Sequence, residues 1–263
     1  MKTFLTPALL AGFAAALVLT LVQFFTTTPL ILQAETYEQE TVEQEAVSVQ
    51  SVAQHGHDHD HSHDHADEGQ PKLQAEEHHH DPDAWSPEDG WQRTLSTASA
   101  NLLMGAGYAL LLVGLYHFRA PTSAMAGLAW GAAGFVSLFA APALGLHPEL
   151  PGTASADLLD RQTWWLGTVL ATAAGIGLCV FSRVWVLKGF GMALLVMPHV
   201  VGAPQPVVHA ALAPVELQHQ FFLASAIANA VFWLLLGWIS SVLFRHFAET
   251  ATTNVPGTPV ANV

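Results

Sequence analysis

The chain has 263 residues, of which 51% are hydrophobic and only 11% are charged, and its formal net charge is −13. A soluble globular domain carries roughly a quarter charged residues, so this composition indicates a membrane protein. The strong negative charge disfavours nucleic acid as a partner and favours cations.

The predicted elements are transmembrane helices, because several apolar stretches reach the roughly 20 residues that a helix needs to cross a bilayer. In chain order, the candidate segments are Thr3–Ala34, Thr94–Phe118, Ser123–Ala141, Trp164–Ser182, Trp185–Val201 and Gln220–Phe244. The predicted fold class is all-α, a polytopic membrane helix bundle of about six transmembrane helices with a long, disordered His/Asp-rich outer loop after helix one. The regions are 1–34 (first helix), 35–92 (loop), 93–247 (a bundle of five helices) and 248–263 (cytoplasmic tail).

The first and fifth segments each allow a second interpretation. The first follows Lys2 as a cleaved signal peptide would, but its uncharged stretch is far longer than the roughly 7–15 residue core of such peptides, which favours an uncleaved anchor. The fifth, Trp185–Val201, is either a span or a re-entrant segment. Charge asymmetry favours a span, since a re-entrant segment would move Arg245 to the outside.

Basic residues predict the orientation of the bundle. With six spans and the N-terminus inside, five of the eight Lys and Arg residues lie on the cytoplasmic side, and among the acidic residues only Glu249 does. The five are Lys2, Arg119, Arg183, Lys188 and Arg245. This distribution follows the positive-inside rule, so we expect a multi-pass protein of a bacterial inner membrane with cytoplasmic termini and an extracytoplasmic loop.

Small residues recur at four-residue spacing on three predicted helices. The positions are Gly12 with Ala16, Gly127 with Gly131 and Gly134, and Ala171 with Gly175. Because lipid provides no hydrophobic force between helices, close approach of helix backbones holds a bundle together. These positions are therefore predicted to be contacts between helices.

The centre of the predicted loop is a tract of histidines and acidic residues. Six histidines occupy alternate positions, which point the same way in an extended chain, and three consecutive histidines follow. The nine are His55, His57, His59, His61, His63, His65, His78, His79 and His80. Imidazole suits Zn, Cu, Ni and Co, so the tract is predicted to capture divalent transition metals. The alternative is a solvated linker whose histidines bind nothing.

A second set of candidate metal ligands lies at the outer ends of the predicted helices. The set comprises Glu35, Glu38, Asp157, Asp160, His199, His209, Glu216 and His219, with His147 and Glu149 in the same outer connection as the aspartates. Together they are suited to forming an acidic, histidine-bearing mouth that passes the ion inward. Met192, Met197 and Cys179 lie deeper, where such side chains are more often packing residues than ligands.

Arg161 is predicted to lie outside, against the charge rule. A cation at a mouth for cations needs a partner, so we expect Arg161 to pair with Asp157, Asp160 or Glu35. Such an ion pair would shape the mouth.

No signature of a soluble enzyme appears. The sequence has no G-x-x-x-x-G-K-[ST], G-x-G-x-x-G, G-x-S-x-G or H-E-x-x-H motif, and no Asp or Glu lies in the middle of a predicted span. The chain is therefore predicted not to be an enzyme and to hold no tightly bound cofactor, only the divalent metal that it transports.

Three stretches of the chain, taken in order, carry a resemblance to a known family. They are Thr28–Glu38 after the first helix, Glu149–Trp165 with its Glu-Leu-Pro-Gly, Ala-Asp-Leu and Arg-Gln-Thr-Trp-Trp motifs, and Pro198–Pro206. Together with the helix arrangement they resemble the CbtA family, the proposed cobalt transporter subunit, over essentially the whole chain. The resemblance implies cobalt uptake linked to cobalamin synthesis, with a small partner, CbtB, that has one helix and a His-bearing tail.

The predicted function is that of an integral-membrane subunit of a divalent transition-metal importer, most consistent with cobalt. Its partners are the lipid bilayer, the metal ion and the CbtB-type subunit. A nickel or zinc transporter or exporter is the first alternative, although an exporter would load from the inside, where only His117 and His246 stand. A metal-binding membrane scaffold without transport is the second. The energy source and the stoichiometry stay open.

Overall fold

Helices make up most of the computed structural model, which describes residues 2–54 and 87–253. The described helices are α1 (Lys2–Phe25), α2 (Thr27–Gln54), α3 (Trp91–Leu115), α4 (Ala124–Phe135), a π-helical segment (Val136–Ala140), α5 (Ala141–Ala143), α6 (Leu158–Phe181), α7 (Trp185–Val201) and α8 (Val215–Thr253). Within these residues the all-α prediction is confirmed.

Five long apolar segments have the length and composition of membrane spans. They are Leu5–Phe25, Trp91–Leu115, Ala124–Ala143, Leu158–Phe181 and Val215–Thr250. Helix α7 is also apolar but has only 17 residues, the lower limit for a span. The expected bundle of about six helices therefore consists of five long helices and one short one, and α7 has the bounds that hydropathy predicts.

The first segment differs from the prediction of one helix that ends near Ala34 and is followed by a disordered loop. Helix α1 ends at Phe25, and α2 continues from Thr27 to Gln54. Pro29 has no N–H to donate to a preceding carbonyl, which accounts for the break. Residues 35–54 are rich in Glu, Gln and Ala, which favour helix, so the acidic composition does not prevent helix formation. The histidines at 55–65 and 78–80 lie outside the described residues.

Two other helices extend beyond their apolar stretches. Helix α6 begins at Leu158, six residues before the predicted Trp164, because the Asp157 carboxylate caps it by accepting from the N–H groups of Leu159 (2.9 Å) and Asp160 (3.3 Å). Helix α8 runs on to Thr253, into the predicted tail. Polar helical turns at a membrane surface do not register in a hydropathy pattern.

The third span continues one residue past Pro142, where the prediction has it stop. The five residues Val136–Ala140 adopt a π-helical turn directly before this proline, and the Ala141 N–H donates to the Val136 carbonyl. A wider turn lets the chain pass Pro142, which lacks the N–H that an α-helix requires there. The span therefore runs from Ala124 to Ala143.

Glycines bring the helices into contact, as predicted. A methyl group added to Gly131 of α4 would collide with the Trp233 carbonyl of α8, and one added to Gly12 of α1 would lie 2.6 Å from the Gly105 carbonyl oxygen of α3. Gly175 of α6 faces Gly191 of α7 in the same way. Helices α1, α3, α4 and α8 thus pack through backbone contacts, and α6 pairs with α7.

One end of the bundle, the loop end, carries residues 27–37 of α2 and the connections 144–157 and 202–214. A buried apolar cluster of Ala34, Leu150, Ala213 and Leu217 joins these segments. The bridge between Thr153 and Ala211 fastens one connection to the other. The loop end is therefore a packed layer above the helices, and it positions the candidate site.

Candidate functional site

A cavity of about 760 Å³ opens at the loop end. The π-helical segment and α5 contribute one wall, the connection 144–157 a second, and the start of α6 a third. The lining residues are Ile31, Leu138, Phe139, Pro142, Ala143, Leu146, His147, Pro148, Glu149, Leu150, Pro151, Gly152, Thr153, Leu158, Arg161, Gln162, Trp165 and Phe221. The polar lining is concentrated on the second and third walls.

Local backbone constraints hold the second wall in place. Gly152 adopts a φ of 74°, which favours glycine, and turns the chain after Pro151. The Leu212 N–H then donates to the Gly152 carbonyl at 3.1 Å, and the Ala154 N–H donates to the Ala210 carbonyl at 2.9 Å. These bonds keep the short segment that carries the polar side chains from folding away from the cavity.

Glu149 is the acidic group of the cavity, and 34% of its side chain is exposed. One of its oxygens lies 3.9 Å from the Arg161 guanidinium. Partial burial raises the pKa of the Glu149 carboxyl, while the charges of Arg161 and His147 act to lower it. Burial therefore outweighs the two neighbouring positive charges, and the carboxyl holds its proton more tightly than an exposed one.

His147 and Thr153 add two further donor atoms. The His147 ring is exposed and packs at 5.5 Å, centroid to centroid, from Phe222. The Thr153 hydroxyl oxygen is buried and has no hydrogen-bond partner among the described residues. An unpaired buried hydroxyl costs free energy unless water or an ion satisfies it, so the cavity provides a place for one.

The cavity suits a hydrated divalent ion better than a bare one. Liquid water occupies about 30 Å³ per molecule, so the space accommodates an ion with a full shell of waters. Carboxylate and imidazole are acceptable ligands for divalent cobalt, nickel and zinc. Among the described residues, no group of three or more His, Cys, Asp or Glu is placed to hold a metal.

Among the predicted ligands, the two aspartates lie beside the cavity but do not line it. Asp157 uses its carboxylate to cap α6, and Asp160 is exposed in the first turn of that helix. Glu35 forms a two-point ion pair with Arg93 of α3, and Glu38 is exposed on α2. Their role as metal ligands stays a prediction.

The predicted histidines are likewise spread over the loop end. The His199 ring lies edge-on to Trp164 at 6.3 Å, and the Trp164 indole N–H donates to the Pro198 carbonyl at 3.3 Å. His209, Glu216 and His219 are exposed on the connection 202–214 and the first turns of α8. The deeper Cys179 thiol donates to the Lys188 carbonyl at 3.7 Å, and Met192 and Met197 are exposed on α7.

The expected pairing of Arg161 is wrong. Its carboxylate neighbour is Glu149, not Asp157, Asp160 or Glu35. Asp157 is occupied by the helix cap, and Glu35 is held by Arg93, which also binds Asp89 one helical turn away on the chain. Asp157 and Asp160 are the acids closest to Arg161 in sequence, yet neither is its ion-pair partner.

Sequence reasoning placed His147 and Glu149 in the mouth without selecting them as metal ligands, and it missed Thr153 and Gln162. A signal was present in Pro148 and Pro151, which bracket Glu149 and restrict the backbone of a short connection. Sequence could not supply the cavity itself, because hydropathy does not show how the consecutive segments 136–165 fold around a space. Two further lining residues, Ile31 and Phe221, come from the distant helices α2 and α8.

A family model described as "Probable cobalt transporter subunit (CbtA)" matches residues 1–245. No curated protein and no solved structure matches the chain significantly.

Proposed function

Because the chain belongs to the CbtA family of probable cobalt transporter subunits, we propose that it is the integral-membrane subunit of an importer that takes up a divalent transition metal, cobalt. The family match over residues 1–245 is the observation that carries this proposal. The five span-length helices and the polar cavity at the loop end support it. The metal is the transported substrate, and the chain acts without catalysis.

The loop end faces the outside of a bacterial inner membrane in this proposal. Arg119 follows α3, Arg183 lies between α6 and α7, and Arg245 lies in the second half of α8, all towards the opposite end of the bundle. The Arg119 guanidinium stacks over the Phe181 ring at 5.2 Å, so the ends of α3 and α6 lie together. Basic residues collected at one end favour the cytoplasm for that end.

The His-rich tract is the capture device. It joins α2 to α3, and both helices reach the loop end, where Glu35 of α2 binds Arg93 of α3. In this proposal the tract, His55–His65 and His78–His80, collects metal on the side of the membrane on which the cavity opens. Capture at the outer face fits import, whereas an exporter loads from the cytoplasm.

The cavity is the first binding site that the ion reaches inside the protein. A hydrated ion exchanges one or two waters for the Glu149 carboxylate and the His147 imidazole, and Arg161 competes with it for the same carboxylate. Conduction requires binding that is favourable enough to admit the ion and weak enough to release it. Two protein ligands and a competing guanidinium meet that requirement.

A partner completes the transporter. The family description names a subunit, which supports a second chain, and we assign that role to a small single-helix protein of the CbtB type with a His-bearing tail. The link to cobalamin synthesis belongs to the same proposal. Nickel or zinc as the cargo, and binding without transport, are the alternatives.

Uptake of radiolabelled cobalt and nickel in cells with and without this gene tests the proposal. We expect cobalt uptake to fall to background without the gene. In Glu149→Gln we expect the uptake rate to fall about tenfold or more, which corresponds to a transport barrier higher by about 1.4 kcal/mol. Glu40→Gln, an exposed acid of α2 that lies outside the cavity and outside the predicted ligand set, is the matched control and should retain uptake. Cobalt uptake unchanged by loss of the gene would reject the importer.

A further inference from the structure

A group of basic side chains lies at the end of the bundle opposite the loop end, where α3 and α6 finish and α7 begins. Arg119 follows α3, Arg183 lies in the three-residue connection between α6 and α7, and Lys188 is in the first turn of α7. The connection is too short to carry Arg183 away from either helix. We call these three residues the basic corner.

Two aromatic rings hold charges of the basic corner in position. The Arg119 guanidinium carbon lies 5.2 Å from the centroid of the Phe181 ring, at the end of α6. The Lys188 ammonium nitrogen lies 5.3 Å from the centroid of the Trp185 ring, at the start of α7. The Cys179 thiol donates to the Lys188 carbonyl at 3.7 Å, so the first turn of α7 lies beside the last turns of α6. The end of α3 and the corner between α6 and α7 are therefore neighbours.

No carboxylate neutralises the basic corner within the part of the chain that the structure describes. The ion pairs of Arg93 and Arg161 with acids lie at the loop end, and none of the three basic-corner residues forms one. Arg119 and Arg183 are exposed, and Lys188 is half-buried. Positive charges without a counter-charge repel one another, so a bound anion stabilises this end of the protein.

Exposed apolar side chains border the basic corner. Phe118 is 89% exposed, Trp185 83% and Val186 80%, and each stands within three positions of a basic residue in the chain. Five of the described helices have the length and composition of membrane spans, so this end of the bundle lies at a membrane surface. A phospholipid carries both an anionic group and apolar chains and suits both kinds of surface, whereas a free inorganic anion leaves the apolar one uncovered.

The first turn of α7 adds N–H groups to the same place. No side chain caps this helix, and its first backbone bond runs from the Lys188 N–H to the Val184 carbonyl at 3.2 Å. The N–H groups of residues 185–187 precede this bond and have no acceptor within the helix. They reinforce the positive potential that the three charged side chains provide.

We propose that the basic corner is a binding site for an anionic phospholipid, which places its phosphate between the three cations and its acyl chains along Phe118, Trp185 and Val186. An arginine donates two parallel hydrogen bonds to phosphate oxygens, and the Lys188 ammonium group supplies a further charge. A zwitterionic lipid brings its own positive group to the same cations and binds more weakly. The inference goes beyond the proposed function, since lipid binding requires neither cobalt nor transport.

The test measures the thermal unfolding midpoint of the purified full-length chain in a nonionic detergent, with phosphatidylglycerol or with phosphatidylcholine of the same acyl chains. A ligand that binds only the folded state raises the midpoint. At phosphatidylglycerol about ten times above its Kd we expect a midpoint about 3 °C higher than in phosphatidylcholine. The difference should shrink in Arg183→Gln and vanish when Arg119→Gln and Lys188→Gln are added to it. Inorganic phosphate at equal ionic strength should give no rise.

Arg245→Gln is the matched control, because it removes a positive charge from the same end of the bundle but outside the basic corner. The neighbouring Phe244 ring contacts Tyr116, and the Trp130 ring lies between Tyr116 and Phe181. This variant should keep the full response to phosphatidylglycerol.

Three results would overturn the site: equal midpoints of the unaltered chain in the two lipids, a full response in the triple variant, or a response that inorganic phosphate reproduces. A loss in the Arg245 variant as complete as in the triple variant would overturn it as well, because it would show diffuse attraction to a basic surface.

Discussion

At the scale of single residues, the acidic side chains of the loop end occupy two kinds of structural position. Asp157 and Glu35 look like ligands by residue type, yet one caps a helix and the other binds an arginine. Glu149 and His147 line a cavity. An acidic residue near a helix start is ambiguous in sequence, because a cap and a metal ligand use the same carboxylate.

Asp157→Ala separates these roles. Loss of an N-terminal cap destabilises a protein by about 1 kcal/mol, so we expect the unfolding midpoint to fall by about 2–4 °C with cobalt uptake retained. Asp160→Ala is the control, since the Asp160 side chain is exposed and does not cap the helix. If Asp157→Ala abolished uptake at unchanged stability, Asp157 would be a ligand after all.

The pH dependence of stability tests the environment of Glu149, which lies in the connection 144–157 outside the spans. Burial raises its pKa above the ordinary value of 4.5. The folded chain therefore holds this proton more tightly than the unfolded chain. The resulting stabilisation is complete below 4.5 and is lost as the pH rises through the folded pKa.

Glu149→Gln lacks this titration. The difference in unfolding midpoint, unaltered chain minus variant, should decrease as the pH rises from about 4 to about 7. A difference that grows over this range would show that the ion pair with Arg161 outweighs burial.

At the scale of elements, hydropathy located the helices because burial in lipid depends on composition alone. Trp185–Val201 has the predicted bounds. Hydropathy did not predict the polar continuations of α2 and α8. A helix outside the membrane depends on the helix propensity of its residues and on packing, not on a long apolar stretch. The cap at Asp157 and the π-helical turn before Pro142 depend on local backbone geometry, which a hydropathy pattern does not contain.

Gly131→Ala tests the backbone contact between α4 and α8. The added methyl group meets the Trp233 carbonyl, so the helices must separate, and overpacking of this kind costs about 1–3 kcal/mol. We expect a lower unfolding midpoint. Gly107→Ala on α3, where a methyl group meets nothing within 4 Å, is the control and should be neutral or stabilising. Equal midpoints for both variants would contradict the packing.

At the scale of the whole molecule, a bundle of span-length helices carries a polar layer at one end. The sequence predicted the bundle and the acidic, histidine-bearing character of that layer. It could not predict which side chains share a cavity, because Ile31, Glu149, Gln162 and Phe221 come from four separate segments. The central claim is that metal enters the protein from outside through this cavity.

Blocking the cavity from one side of the membrane tests that claim most directly. In a Cys179→Ser background, which removes the single native cysteine, Gln162→Cys places a thiol on the cavity wall and Thr163→Cys places one beside it, outside the lining. A membrane-impermeant thiol reagent added to intact cells should abolish radiolabelled cobalt uptake by Gln162→Cys, and excess cobalt should slow the reaction. Thr163→Cys should keep its uptake. Uptake by Gln162→Cys that persists after complete modification, or a thiol that reacts only with a permeant reagent, would contradict entry through this cavity from outside.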